Sequence, residues 1–155
     1  MSSTALLPAG ATVGDYTIEC VLGRGGMAAV YRARHPDREL PVALKLIAPD
    51  SHWDADAQAR FVREAQLATA VSHRAILPVY DTGEHDGRPF VAMRLEPRDL
   101  HALLRDEGRL EAERGVALLS QVAAALDAAH AHGVVHRDIK PANVLVGEEE
   151  GEERA

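Results

Sequence analysis

The sequence predicts an α+β fold: a small antiparallel sheet carrying one helix, followed by a mainly helical segment. Three observations lead there. Stretches of alternating apolar and polar residues, broken by glycine-rich or polar turns, recur up to Leu95. One helix-period stretch, "DADAQARFVREAQLATAVS", interrupts them. After Pro97 the alternation gives way to apolar residues at helical spacing.

Taken in order, "MSSTALLPAGATVGDY" lacks a basic start and a long apolar run, so it is not a signal peptide and reads as a flexible leader over 1–14. "YTIECVL", "GRGGMAA" and "VYRARH" form a strand, a flexible turn and a second strand in hairpin style. "LPVALKLI" is a third strand, with Val42, Leu44 and Leu46 on one face and Ala43, Lys45 and Ile47 on the other. In the helix that follows, acids open the first turn, where the dipole favours them, and Phe61, Ala65 and Ala68 share a face beside Glu64. "AILPVYDTGE" and "RPFVAMRL" are two more strands joined by the turn "EHDG". "DLHALLRDEG" then reads as a short helix. "EAERGVALLSQVAAALDAAHAHG" reads as a long one ended by Gly133, apolar nearly all round and therefore expected to be buried.

A length of 155 residues fits one domain, or one complete lobe and part of another. With 46% hydrophobic and 26% charged residues, the composition is that of a soluble globular chain. A formal charge of −7 speaks against nucleic acid as the main partner, because phosphate binding wants a basic patch. Part of that charge lies in "GEEEGEERA", which on composition alone is a solvated tail. Cys20 is the single cysteine, which excludes an intramolecular disulfide, suits a cytoplasmic location and suggests a buried, inert thiol. No run is apolar enough to span a membrane.

Three motifs carry chemistry. In "GRGGMAAVY", closely spaced glycines let backbone N–H groups approach phosphates, although a plain hairpin turn explains the same residues. In "VALK", Lys45 on a buried-looking strand either snorkels to an edge or pairs with a carboxylate such as Glu64. In "HRDIKPAN", Asp138 can accept a hydroxyl proton, Lys140 can neutralise phosphate charge, and Asn143 can offer an amide oxygen to a divalent metal. His130, His132 and His136 raise zinc, but His-x-His at a helix end lacks the i, i+4 spacing that sets two ligands on one face.

Together "LGRGGMAAVY", "VALK", "REAQ" and "HRDIKPAN", in that order, resemble the eukaryotic-like (Hanks-type) serine/threonine protein kinases of bacteria. The resemblance covers about Asp15 to Val146. It implies a protein-kinase-like architecture: a complete small lobe over 15–96 and the first, mainly helical part of a large lobe over 97–155. It implies ATP and Mg²⁺ as cofactors and a protein as substrate. Gly23, Gly25 and Gly26 would cover the phosphates, with Ala28 where the third glycine of the pattern stands. Lys45 would touch the phosphates and pair with Glu64. Val30 and Ala43 would pack above the adenine and Leu145 below it, with Met93 guarding the back of the pocket. Leu95 or Glu96, in "RLEP", would offer a backbone N–H to the adenine. Asp138 and Lys140 would be catalytic, Asn143 a metal ligand, Arg137 the partner of a phosphorylated loop, and His136 a structural residue in a hydrophobic stack.

In that family a strand and an Asp-Phe-Gly motif follow, and neither occurs in "NVLVGEEEGEERA", whose acidic run then reads as the hairpin before that strand. The expectation is therefore a serine/threonine kinase domain cut short before its principal Mg²⁺ ligand and activation loop. The alternative is a nucleotide-binding pseudokinase or kinase-pairing module. Apolar residues left uncovered on the long helix would favour self-association.

Overall fold

The computed structural model describes residues 6–25, 28–47, 65, 69, 71–136, 139–149 and 151–155. They belong to two compact units, 1–70 with 78–95, and 71–77 with 96–155. The short stretch 71–77, which the sequence places in the small lobe, thus packs with the second unit.

The first unit is built on a six-stranded antiparallel sheet. Its strands are β1 (Thr12–Val13), β2 (Tyr16–Arg24), β3 (Ala28–Arg34), β4 (Val42–Ile47), β5 (Val79–His85) and β6 (Arg88–Arg94), in the order β1-β2-β3-β4-β6-β5. Alternation decides which side of each strand is buried. Tyr16, Ile18, Ala29, Tyr31, Ala33, Val42, Leu44, Leu46, Phe90 and Ala92 form one core. Each large apolar side chain taken from water there contributes about 1.5–3 kcal/mol. The "EHDG" turn narrows to Asp86-Gly87, both at positive φ (51° and 72°), the two-residue turn whose twist matches paired strands. Of the helix expected over "DADAQARFVREAQLATAVS", Ala65 and Thr69 are helical, and Ala65 is buried; Phe61, Glu64 and Ala68 lie outside the described residues.

Two sequence expectations need correction here. Residues 6–14 are not a loose leader. Gly10 donates to the Ile18 carbonyl, the Ile18 N–H donates to Ala11, and Leu7 and Ala11 pack on the core. Val13 is fully buried, which is what holds this arm down. Cys20 is not buried but exposed. The register slips between Ile18 and Cys20, so Ile18 lies opposite Ala33 whereas Cys20 lies opposite Arg32. That bulge turns the thiol away from the core face.

The second unit holds β7 (Arg98–Asp99), α1 (Leu100–Glu107), α2 (Ala112–Ala131), a 3₁₀ turn (Pro141–Asn143), β8 (Leu145–Glu149) and β9 (Glu152–Arg154). Asp99 caps α1, its carboxylate accepting from the Ala102 N–H at 2.7 Å. Leu100, Leu103, Leu118, Val144 and Val146 make the core. The acidic tail is not the solvated segment its composition suggests but a hairpin, as its place after the motifs implied: β8 and β9 pair antiparallel. It is pinned by two arginines. Arg114 on α2 binds Glu153 through both oxygens, at 2.8 and 2.6 Å, and also binds Glu107. Arg154, only 7% exposed, meets Glu96 at 3.0 Å and Glu149 at 2.5 Å. Removing one partner of a pair so buried costs about 3–5 kcal/mol.

The long helix is less buried than its composition suggests. Leu118 is its one fully buried residue among those described, while Val116 and Leu119 are 63% and 62% exposed. The hairpin and α1 side cover one face only, through Leu118, Gln121 and Val122.

These placements set two expected outcomes. Leu44→Ala should cost about 2–5 kcal/mol in denaturant unfolding, whereas Leu119→Ala should stay within about 0.5 kcal/mol. Acid should also loosen the tail hairpin. Hydrogen bonding to Arg114 holds the Glu153 and Glu107 carboxyls below their ordinary value of 4.5. A lowered folded pKa stabilises the fold above pH 4.5 and stops doing so as pH falls through the lowered values. Melting followed from pH 6 to pH 2, roughly the range over which carboxylates titrate, should therefore show a loss that Arg114→Gln reduces.

Candidate active site

The site residues named from the sequence fall on both units, and each half is described by itself. In the first unit the strand register does the gathering. Val30 on β3 lies opposite Lys45 on β4, and Lys45 lies opposite Val91 on β6. Ala43 lies opposite Met93. Residues directly opposed across antiparallel strands project to one face, and so do residues two apart along a strand. Val30, Ala43, Lys45, Val91 and Met93 therefore share the face opposite to Tyr31, Leu44, Phe90 and Ala92. Gly23 extends this set, lying opposite Val30. Gly25 closes the β2–β3 turn by donating to the Ala28 carbonyl at 2.9 Å. Gly26 and Glu64 lie outside the described residues.

The chemistry of this face is graded. Ala43 and Val91 are 7% and 4% exposed, and Met93, Val30 and Lys45 are half-buried. Lys45 has an interaction partner and sits among small or aliphatic side chains. Such a face offers a flat aromatic ligand an apolar bed, with one ammonium at its side and backbone N–H groups at its glycine-lined end. Val91 was missed from the sequence. The signal was there, since it stands two residues before Met93 in "RPFVAMRL".

In the second unit a short turn is held between two anchors. Pro141 sits in the first turn of the 3₁₀ helix, where its missing N–H is harmless. The Asn143 N–H donates to the Lys140 carbonyl at 2.9 Å, which ties these two residues into one turn. Val144 and Val146 are buried in the core just beyond, and the Leu100 N–H donates to the Val144 carbonyl at 2.7 Å. Lys140 and Asn143 are thus exposed on a fixed support. Leu145, half-buried and opposite Asp99, alternates away from the side that carries Val144 and Val146. His136, expected inside a hydrophobic stack, is exposed, and Arg137 and Asp138 lie outside the described residues.

An amide oxygen such as that of Asn143 is the hard donor Mg²⁺ takes, but one neutral oxygen does not hold the ion without phosphate oxygens and an anionic partner. Among the described residues no three His, Cys, Asp or Glu side chains cluster as metal ligands. The Nδ1 atom of His132 lies 2.9 Å from the Ala128 carbonyl oxygen, a bond within its own helix end.

Comparison with known proteins points to one family. The model of the protein kinase domain matches residues 16–153. The serine/threonine-protein kinase PknD of Mycobacterium tuberculosis is 46% identical over 145 residues, covering 93% of this chain and 22% of PknD. PknH of the same species is 44% identical over 138 residues, 88% of this chain and 22% of PknH. PknE of Mycobacterium bovis is 44% identical over 147 residues, 94% of this chain and 26% of PknE. The crystal structure of the M. tuberculosis PknI kinase domain superposes with a TM-score of 0.83 at 36% identity, covering 96% of this chain and 60% of that one. The chain spans at most about a quarter of the length of these curated relatives. With that match over most of its length, the chain belongs to the bacterial eukaryotic-like (Hanks-type) serine/threonine protein kinases and corresponds to the N-terminal part of their kinase domain.

Proposed function

We propose that the protein transfers the γ-phosphate of ATP to serine or threonine hydroxyls of other proteins, using groups from both units. The observation that carries this reading is the register of β3, β4 and β6, which sets Val30, Ala43, Lys45 and Met93 on one sheet face. On this reading the adenine lies against Val30, Ala43, Val91 and Met93, with the backbone at Leu95 or Glu96 at its edge, and Leu145 is an adenine contact by the family resemblance. The glycines at 23, 25 and 26 admit the phosphates close to main-chain N–H groups, where a Cβ would intrude. Lys45, kept charged by Glu64, lies against the α- and β-phosphates. The lobe boundaries at 15–96 and 97–155 follow from the same reading.

The exposed turn supplies the transfer chemistry. The Asp138 carboxylate accepts the proton as the substrate oxygen attacks, and the bond from the γ-phosphorus to the bridging oxygen breaks, leaving ADP. Lys140 places a positive charge beside the moving phosphoryl group, which lowers the cost of charge developing there. Asn143 would offer one oxygen to Mg²⁺, which when bound would supply positive charge against the phosphates. Lysine two residues after the aspartate is the serine/threonine-type choice of the resembling family. No helix among the described residues is long and apolar enough to cross a membrane. With a lone cysteine and an ATP-dependent reaction, we place the domain in the cytoplasm.

Expressed at the full length its gene encodes, Lys45→Met or Asp138→Asn should abolish phosphorylation of a generic protein substrate while leaving the circular dichroism spectrum unchanged. Activity retained in either variant would sink the assignment. For the 155 residues alone, calorimetry should show weak ATP binding that changes little on adding Mg²⁺. Tight, Mg²⁺-dependent binding would mean that some other carboxylate, such as one of the tail glutamates, serves as the main ligand.

A further inference from the structure

The chain passes from the first unit to the second for the last time between Leu95 and Glu96. The first side chain past that crossing is buried and charged. Glu96, 10% exposed, accepts a hydrogen bond from Nη2 of Arg154, 58 residues away in sequence. Arg154 is itself buried and is held on its other side by Glu149. A second, independent feature serves the same carboxylate. Gly147 on β8 leaves a notch: a Cβ there would lie 2.0 Å from Oε2 of Glu96. Gly147 does not adopt the positive φ that would call for glycine on conformational grounds, and the carboxylate end of Glu96 occupies the space a Cβ would take. The backbone just beyond is tied as well, because β7 pairs with β8 and Leu100 donates to Val144. The support is braced in turn. β9 docks on α2 through Arg114 and through Gln121, which donates to the Glu153 carbonyl and accepts from the Ala155 N–H.

A buried carboxylate that is paired, notched and flanked by a ladder is an expensive way merely to fill space, since apolar residues would do so without desolvating charge. Directional bonds do what apolar packing does not: they fix one orientation. We infer that Arg154 is a positioning residue, which fixes the crossing backbone at Leu95–Glu96 and thereby aims its main-chain groups at the adenine of bound ATP. The inference rests on the function proposed above, in which this segment meets the adenine edge, and it assigns the acidic hairpin a part in nucleotide recognition.

The test uses the 155-residue chain, with amide exchange at Leu95 and Glu96 and calorimetric titration with ATP and, separately, inorganic tripolyphosphate. Arg154→Met should speed exchange at these two amides about ten-fold relative to β3 and β4. It should weaken ATP about ten-fold while changing tripolyphosphate little without Mg²⁺, because Lys45 and the glycine turn, which meet the phosphates on that reading, belong to the first unit. Arg154→Lys, which keeps charge without the two-pronged geometry, should recover part of both effects. Unchanged exchange in a folded Arg154→Met chain overturns the positioning role. Equal loss of ATP and tripolyphosphate affinity overturns the aiming role, since that is the mark of general destabilisation. If circular dichroism shows Arg154→Met unfolded, Glu96→Gln replaces it, with the same pattern expected at smaller size and the same results overturning it. If the parent chain binds tripolyphosphate but not ATP, or binds neither, the proposed function fails, and exchange at Leu95 and Glu96 alone then decides whether Arg154 positions the crossing.

Discussion

The pairing of β4 between β3 and β6 is the constraint on which the first unit depends. Val42, Leu44 and Leu46 point into the core, and Ala43 and Lys45 therefore point out of it. A slip of one residue would exchange the two sets. It would carry the Lys45 ammonium into the space now filled by Leu44 and Leu46, at a desolvation cost that no packing gain there could offset. The apolar residues thus fix the register, and the register fixes which residues share the face proposed to bind ATP. Core and proposed site are two sides of one strand.

The second unit solves a similar problem with a turn instead of a strand. Its polar groups must stay wet and reachable, yet hold a fixed geometry. Val144 and Val146 anchor the chain just past the turn, Pro141 stiffens it, and one backbone bond joins Lys140 to Asn143. Exposed residues on buried supports are a common way to combine access with precision. The β8–β9 hairpin extends that support back to Glu96 through ion pairs of unequal weight. The Arg154 pair is buried and matters most, and the Arg114 contacts, about a third exposed, are screened and individually weaker.

Much of this was legible in the sequence because it rests on short-range pattern. Alternation in "LPVALKLI" places Lys45 opposite in sense to Leu44, and the structure keeps that order. The strand pair around Asp86-Gly87 is readable from turn chemistry. What escaped depends on contacts distant in sequence or on irregular geometry. A bulge moved Cys20 to the surface, and nothing local announces a bulge. "GEEEGEERA" looked solvated on composition and was readable as a hairpin only from its place in the motif order. Its ion-pair partners Glu96 and Arg114 lie far upstream and could not be read. Residues 6–14 looked loose because what holds them, the burial of Val13 and the bonds with Ile18, does not show in local pattern. The long helix looked fully buried on composition, which does not report how much of a helix is covered. The family resemblance led instead to the expectation of uncovered apolar residues, which Val116 and Leu119 match.

The most direct test of the account is methyl and backbone NMR of the chain during titration with ATP. Binding to one face of the sheet should shift Val30, Ala43, Val91 and Met93 together, while Tyr31, Leu44 and Ala92, their alternating neighbours, stay near their unliganded positions. Shifts confined to the Leu44 face, shifts spread evenly over both faces, or none at saturating ATP would contradict it.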